Sequence, residues 1–274
     1  MLLALFLFAG GVAFAELSIV QPVVAQFDGG PSVAAGFAFR SGESLFLSFD
    51  LAGFKPEGDE DLKLKLSWSC QAFDAAGIAL VEPQKGDVKV DLAPEDKKWR
   101  PRIRLELALP QALLSQQAEI RISAIDQVAS SKADLVVPIR TAGLSPASTG
   151  KLDALRFRFF RTEDSNEPLT VPAFRPGDPV FARFEMAGYK LGEGNSYQVS
   201  YGLEVLRPNG ESLFRQEEAA ADNGKSFYPK RYSSGAMSIQ LSKDVAVGEY
   251  TIVLRIKDGI GMQESETKHT FRVE

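Results

Sequence analysis

A catalytic centre in this chain would have to be assembled from very few of the residues that usually carry one. The sequence contains one histidine, His269, and one cysteine, Cys70. Any Ser–His–Asp or Cys–His arrangement would therefore depend on His269. His269 shares one face of an alternating segment with Phe271 and Val273, which favours a structural role. Because one histidine and one cysteine also provide no usual zinc or copper ligand set, we expect neither an enzyme nor a cofactor.

Two short segments contain residue types found in reactive or metal-binding sites but lack the neighbouring motifs or the spacing that such sites require. The segment from Ser148 to Lys151 matches the S-x-x-K pattern of serine–lysine enzymes. That motif requires a helix start and partner motifs, which this Ser-, Gly- and Pro-containing stretch does not offer. The segment from Glu57 to Asp61 is densely acidic, and loop carboxylates can hold Ca²⁺. Its spacing differs from an EF-hand loop, so we interpret it as a solvated turn and leave calcium binding open.

The most unusual surface-type segment is basic and contains a tryptophan. It reads KKWRPR and runs from Lys97 to Arg102. An indole beside guanidinium groups offers contact area and charge, which suits an acidic polymer or a sugar ring. The structural alternative is that the indole covers a sandwich edge while the charges keep that edge from aggregating. The candidate partner-binding residues of this segment are Trp99, Lys98, Arg100 and Arg102.

The elements that would position these residues follow from an internal repeat. Residues 36–55 (GFAFRSGESLFLSFDLAGFK) and 171–190 (VPAFRPGDPVFARFEMAGYK) align without a gap at an offset of 135. The identical pairs are Phe39/Phe174, Arg40/Arg175, Gly42/Gly177, Phe46/Phe181, Phe49/Phe184, Ala52/Ala187, Gly53/Gly188 and Lys55/Lys190. With small insertions the alignment extends in both directions, so two copies of one unit are predicted to fill the chain.

Each copy is predicted to consist of strands. Residues 62–72, 197–205 and 250–256 alternate between apolar and polar side chains, which is typical of half-buried strands. About seven such segments per copy, separated by Gly-, Pro- and Asn-containing turns, indicate an antiparallel sandwich. Residues 111–118 fit this pattern least, and we expect a loop or one helical turn there.

The last hairpin of the second copy carries a family resemblance. Gly248-Glu249-Tyr250 precedes TIVLRIKD and a closing strand. This pattern resembles immunoglobulin-like modules of secreted bacterial proteins, where the equivalent tyrosine hydroxyl bonds to nearby backbone. The first copy has Ala118 at the matching position. The resemblance implies the immunoglobulin-like fold, and the repeat implies the duplication. Together they predict an all-β chain of two tandem immunoglobulin-like antiparallel β-sandwich domains related by internal duplication, at 16–141 and 152–274, with a linker at 142–151.

The strand that opens the second copy is rich in phenylalanine. Phe157, Phe159 and Phe160 lie close together, and one face of that strand should belong to the core. Phe160 is then left for the opposite face or the domain junction. It is a candidate for a partner or interdomain contact, with simple packing as the equal alternative.

The N-terminal segment points to export. Residues 2–8 are apolar, two glycines follow, and Ala13-Phe14-Ala15 places small residues where a signal peptidase cuts. Residues 1–15 are therefore predicted to be a signal peptide, since the apolar run is shorter than the roughly 20 residues that a membrane span needs. A single cysteine excludes an intramolecular disulfide. An exported protein without disulfides fits a secreted or periplasmic protein of the bacterial envelope.

These features lead to a function by exclusion. The formal net charge of −5 is mild and mixed along the chain, which argues against nucleic acid as a partner. We expect a non-catalytic interaction or structural protein that binds an unidentified protein or glycan of the cell envelope through sandwich loops or edges. The alternatives are a carbohydrate-binding protein, which requires a coplanar aromatic patch including Trp99, and a two-domain periplasmic chaperone.

Overall fold

The computed structural model describes residues 16–58, 62–93, 96 and 99–274. The regular structure of these residues is β-sheet, with two short 3-10 helices at Pro146–Thr149 and Glu193–Asn195. Two compact units are formed. The first comprises the described residues up to 37 with Ser44–Ala108 and Gln117–Arg140, and the second comprises Ala38–Glu43, Leu109–Gln116 and Thr141–Glu274. Among the described residues, no helix has the length and apolar character needed to cross a membrane.

The first half of the chain contributes eight strands. They are β1 (Ser18–Ala25), β2 (Phe39–Arg40), β3 (Ser44–Ala52), β4 (Leu62–Asp74), β5 (Gln84–Leu92), β6 (Arg102–Ala108), β7 (Gln116–Asp126) and β8 (Ser131–Ala142). They form a three-stranded sheet of order β1-β3-β6 and a five-stranded sheet of order β2-β8-β7-β4-β5. The strands β1 to β8 are called the first sandwich below.

The second half repeats this arrangement strand for strand. Its strands are β9 (Asp153–Phe160), β10 (Ala173–Phe174), β11 (Pro179–Ala187), β12 (Ser196–Leu206), β13 (Ser212–Lys225), β14 (Tyr232–Gln240), β15 (Gly248–Asp258) and β16 (Gln263–Val273). The sheets have the orders β14-β11-β9 and β10-β16-β15-β12-β13. When eight is subtracted from each strand number, these orders become β6-β3-β1 and β2-β8-β7-β4-β5, which are the sheets of the first sandwich. The predicted duplication is therefore confirmed. The strands β9 to β16 are called the second sandwich.

Each sandwich has one strand more than the seven predicted. The short strands β2 and β10 pair in parallel with β8 and β16, so the start of each copy contributes to both sheets. Two residues are too few to show an alternating pattern, which is why sequence reasoning missed them. In the uncertain segment 111–118, residues 111–115 form a turn, as the loop interpretation predicted, but residues 116–118 already belong to β7.

The two sandwiches share the same backbone irregularity in their first strands. Gln21 in β1 and Arg156 in β9 have φ angles of +52° and +53°, a region that residues other than glycine seldom adopt. The pairing of β1 with β3 and of β9 with β11 shifts register at these points. Because the two residues are 135 positions apart, the duplication extends to the β-bulge itself.

Each sandwich contains a buried aspartate whose carboxylate accepts three backbone hydrogen bonds. Asp126, the last residue of β7, accepts a hydrogen bond from the Lys55 backbone N–H at 2.7 Å and from two following backbone N–H groups at 2.9 and 3.1 Å. Asp258, the last residue of β15, accepts the Lys190 N–H at 2.8 Å and two following N–H groups at 3.0 and 2.8 Å. Both carboxylates replace their lost hydration with backbone donors, which is the condition for burying a charge.

Equivalent aromatic side chains form the cores. Phe49 is fully buried and packs edge-on against Trp68 with ring centroids 6.4 Å apart. Phe184 packs in the same manner against Tyr201 at 5.0 Å. Each pair joins the three-stranded sheet of its copy to the five-stranded sheet, as a sandwich core requires. The predicted equivalence of Phe49 and Phe184 is confirmed.

Tyr250 takes the position that the sequence resemblance assigns to it. Its side chain is fully buried, and its hydroxyl donates a hydrogen bond to the Ala246 carbonyl at 2.8 Å. At the matching position Ala118 is also buried but has no hydroxyl. The hydrogen bond from a tyrosine hydroxyl to nearby backbone is therefore made in the second sandwich, as expected.

Candidate functional site

The basic segment predicted to bind a partner lies just before β6. Trp99 is 40% exposed, and its backbone N–H donates to the Asp96 carbonyl at 2.9 Å. Arg100 is exposed. Lys98 lies outside the described residues. An exposed indole with an exposed guanidinium beside it remains a candidate contact surface.

Arg102 is engaged within its own sheet. Its Nε donates to Asp50 Oδ1 at 2.7 Å and its Nη2 donates to Asp50 Oδ2 at 3.1 Å, a bidentate pair of well-defined geometry. The hydrogen bond to Asp50 raises the pKa of the guanidinium. Asp50 is only 7% exposed, so Arg102 serves to hold this carboxylate on the outer face of β3. That contact was not readable from the basic segment alone.

Phe160 packs within the second sandwich. It is 8% exposed, and the guanidinium of Arg183 lies 4.4 Å from its ring centroid. Arg183 also donates to the backbone carbonyl of Ser165 at 2.9 Å, so a loop and a cation cover the ring. Phe157 and Phe159 belong to the core, whereas Phe160 lies on the opposite face of β9 and is buried by this cover.

The lone histidine and the lone cysteine occupy structural positions. The His269 ring stacks on Phe157 with centroids 3.6 Å apart, and burial lowers the pKa of the imidazole. Cys70 is 1% exposed, and burial raises the pKa of its thiol to about 12. A thiol with that pKa is overwhelmingly protonated at neutral pH and is a poor nucleophile. The position of His269 agrees with the interpretation from sequence.

The acidic segment gives no metal site in the part that is described. Glu57 Oε2 lies 2.5 Å from Lys65 Nζ, while residues 59–61 lie outside the described residues. Across the described part of the chain, no group of three or more His, Cys, Asp or Glu side chains is arranged to hold a metal ion.

The surface that distinguishes the two sandwiches most clearly is the outer edge of the three-stranded sheet. In the first sandwich this edge is β6, whose outward side chains include Arg102, Arg104 and Glu106. The register of the sheets makes Ser234, Ala236 and Ser238 of β14 their equivalents. These six side chains are all exposed. Three charges on one edge are thus replaced by three small uncharged side chains on the other.

The β14 edge lacks the features that usually protect a terminal strand. Natural sheets shield such edges with charge, proline, short strands or bulges. β14 has nine residues, contains no charged residue and no proline, and pairs with β11 over all nine positions without a register shift. By contrast, the neighbouring edge strand β13 carries Arg215, Glu217, Glu218, Asp222 and Lys225. The edge of β14 is therefore open to pairing.

A pocket of about 460 Å³, lined by both apolar and polar side chains, adjoins this edge. It lies between the terminal strands β13 and β14, where the two sheets of the second sandwich separate. Phe214, at the rim, is 45% exposed although it is a large apolar residue. The lining side chains are Leu203, Val205, Arg207, Leu213, Phe214, Gln216, Ser238, Ile239, Gln240, Leu241, Ser242, Asp244 and Val245.

In the first sandwich the equivalent edges are linked by a side chain. Gln84 of β5 donates from Nε2 to the Glu106 carbonyl of β6 at 2.7 Å. The register places Gln216 and Ser238 at the equivalent positions of the second sandwich. Gln216 donates instead to the Glu218 carbonyl of its own strand at 3.3 Å. The bridge between the sheets is replaced by the pocket.

Glu185 adds an incompletely satisfied charge to the same edge. It lies opposite Ser234 in the pairing of β11 with β14, and burial raises the pKa of its carboxyl. Its Oε1 lies 3.9 Å from Arg156 Nη1, whereas its Oε2 is buried without a hydrogen-bond partner among the described residues. Asp50 is the equivalent residue of the first sandwich, where Arg102 neutralises it. In the second sandwich that arginine is replaced by Ser234.

Comparison with known proteins gives no family. No protein-family model matches the sequence, and no curated protein matches it. Among solved structures, the C-terminal domain of the Streptococcus pyogenes antigen I/II-family protein AspA covers 94% of this chain and 99% of its own, at 11% identity and a TM-score of 0.33. The C-terminal domain of the Streptococcus agalactiae AgI/II polypeptide BspA covers 93% and 100%, at 10% identity and a TM-score of 0.32. Superpositions with these scores do not establish a common fold.

Proposed function

We propose that this chain is an exported, non-catalytic interaction protein of the bacterial envelope, built of two immunoglobulin-like sandwiches, and that it binds another macromolecule through the outer edge of the second. The observation that carries the proposal is the difference between β6 and β14. Two copies of one fold need the same core and turns, but they do not need different edges. A terminal strand without charged side chains can pair with other chains and aggregate in solution. A bound partner that covers the strand is therefore a physical reason for its lack of charge.

Export is supported by the N-terminal sequence pattern. The apolar run and the Ala13-Phe14-Ala15 motif are typical of a signal peptide. The fold does not depend on disulfide formation, because the only cysteine is buried alone in the first core. Such a protein can fold in the periplasm or outside the cell without oxidation.

The proposal is tested by placing a photo-crosslinking amino acid at Ser238 of β14, or at its counterpart Glu106 of β6, in the exported full chain in living cells. We expect a larger crosslinked species with the label at Ser238 and none with the label at Glu106. Digestion of that species with a protease or with glycosidases identifies the partner as protein or glycan. Equal crosslinking at both positions, or none at either, would contradict the proposal.

Carbohydrate binding through the first sandwich is the second candidate, favoured by the exposed indole of Trp99. A glycan array probed with the wild type and with the double variant Trp99→Ala, Arg100→Ala tests it. Glycan retention that the double variant loses supports this function. Equal retention by the two proteins removes the Trp99 surface from consideration.

A further inference from the structure

The partner surface of the second sandwich combines three features that occur together nowhere else among the described residues. The strand β14 is an uncharged terminal strand, the pocket beside it is lined in part by apolar side chains, and the carboxylate of Glu185, opposite Ser234 of the same strand, has one oxygen unpaired. Each feature restricts the chemistry of the occupant. Together they describe one kind of ligand.

The backbone of β14 is oriented to pair with another strand. Tyr201 Oη donates to the Ala236 carbonyl, so this carbonyl faces the gap between the sheets and points away from β11. In an antiparallel ladder the N–H of a residue points to the same side as its C=O, and alternate residues repeat this direction. Ser234, Ser238 and Gln240 therefore also direct backbone donors and acceptors toward the gap. An extended chain laid along β14 finds a row of hydrogen-bonding groups, in which the Ala236 carbonyl also accepts from Tyr201.

The two faces of an added strand would meet different surfaces. Side chains on its inner face continue the layer of Met237 and Ile239 and point into the pocket, where the buried side chains of Leu203, Val205 and Val245 offer apolar contacts. Side chains on its outer face lie beside Ser234 and Ala236. Because Ser234 is small, a long cationic side chain can pass over it and reach the carboxylate of Glu185.

We infer that the second sandwich binds an extended peptide segment of another protein, which pairs with β14, inserts an apolar side chain into the pocket and presents a lysine or arginine to Glu185. This inference rests on the proposed function and specifies its partner. The apolar and basic residues stand three or five positions apart, which is the separation of Ser234 from Met237 and from Ile239. Alternation along a strand places residues with an odd separation on opposite faces.

A second copy of this chain fits the surface less well. β14 contains no cationic residue, so two β14 strands paired with each other would bring no cationic donor to the unpaired oxygen Oε2 of Glu185. The peptide of another protein removes that deficit, because a charge-assisted hydrogen bond satisfies the buried oxygen.

The inference is tested by selecting peptides from a random nine-residue displayed library with the full chain as bait. We expect enrichment of sequences that carry a basic and an apolar residue at the predicted separation. Synthetic versions of the selected peptides should lose roughly tenfold or more in affinity when alternate backbone nitrogens are methylated, since methylation removes the pairing donors. Absence of the predicted spacing, or binding that is unaffected by methylation, would overturn the inference.

Variants of the chain test which residues contact the peptide. Ser238→Pro removes an outward N–H while leaving the pairing with β11, and should abolish selection, whereas Glu106→Pro in the first sandwich should leave it unchanged. Glu185→Gln should remove the preference for a basic residue but retain the apolar one. Selection that survives Ser238→Pro would overturn the inference, as would dimerisation of the free chain that Ser238→Pro abolishes. In these cases crosslinking at Ser238 still reports whether the proposed function itself holds.

Discussion

Glu185 and Asp50 occupy equivalent sites in the two sandwiches but differ in the side chain that faces their carboxylates. In the first sandwich a bidentate arginine neutralises the carboxylate of Asp50. In the second sandwich Ser234 replaces that arginine, and the oxygen Oε2 of Glu185 is buried without a partner. A buried polar atom without a partner costs roughly 1 to 3 kcal/mol. This cost is intelligible if a ligand supplies a cationic hydrogen-bond donor to that oxygen.

Glu185→Gln tests whether the charge destabilises the free protein. Because burial raises the pKa of Glu185, its stabilising contribution is present below the ordinary carboxyl pKa and is lost as the pH rises through the raised value. The glutamine variant should therefore exceed the wild type in unfolding free energy by roughly 1 kcal/mol at pH 7. The difference should shrink as the pH falls toward 4. Urea titrations at both pH values measure it, and a less stable variant at pH 7 would contradict the argument.

Ser234→Arg restores to the second sandwich the arginine of the first. The new guanidinium should pair with Glu185 as Arg102 pairs with Asp50, so the variant should unfold at a higher urea concentration than the wild type. It should also lose affinity for peptides, because the added cation competes for the carboxylate. The matched variant Arg102→Ser should lower stability by leaving Asp50 unpaired. A destabilised Ser234→Arg variant would count against this pairing.

At the scale of elements, Phe49 in β3 and Phe184 in β11 join the two sheets of their own copies. Replacing either by alanine should lower the unfolding free energy by about 3 to 5 kcal/mol, through lost burial and the cavity left behind. The two variants should behave alike, because their aromatic partners Trp68 and Tyr201 are equivalent. Chemical denaturation of each variant provides the comparison. A cost below 1 kcal/mol for one of them would show that the cores are not equivalent.

The aspartates at the ends of β7 and β15 should be equally sensitive. Asp126→Ala and Asp258→Ala each remove the acceptor of three backbone N–H groups and should cost about 2 to 4 kcal/mol. Asp134→Ala serves as the control, since its carboxylate is exposed beside Lys132 and a surface pair contributes little. Thermal unfolding of the three variants decides the point. A control as damaging as the two core variants would refute the role of the buried carboxylates.

The sequence predicted the strands whose side chains alternate and the repeat that relates them, because core positions recur at a fixed offset. It did not predict β2, β10 or the bulge at Gln21 and Arg156, since two-residue strands and backbone twists leave no pattern in side-chain type. Nor did it predict the edge of β14. The signal was present in the contrast between RIRLELA and SGAMSIQ, but these segments become comparable only when strand pairing aligns them.

At the scale of the whole molecule, the two copies share one fold and differ at one edge. The shared cores, bulges and buried aspartates maintain the fold, while the charges of β6 are absent from β14, the edge at which we propose that a partner binds. The division into domains at 16–141 and 152–274 with a linker at 142–151 remains our proposal. It predicts that each copy can be expressed and folded alone.

Export of the whole chain is open to direct measurement. The intact mass of the secreted or periplasmic protein should correspond to a chain that begins at Glu16, because the signal peptidase is expected to cut after Ala15. A mature protein that retains Met1 would show that the first fifteen residues belong to the folded protein.

The central claim is that the edge of β14 is where a partner binds, and amide hydrogen exchange resolved by residue tests it most directly. The isotope-labelled full chain is compared alone and in solubilised envelope extract. We predict that the backbone N–H groups of Ala236 and Ser238 exchange rapidly in the free protein and slow markedly in the extract, while those of Arg104 and Glu106 in β6 do not change. Unchanged exchange along β14, or equal slowing along both edges, would contradict the claim.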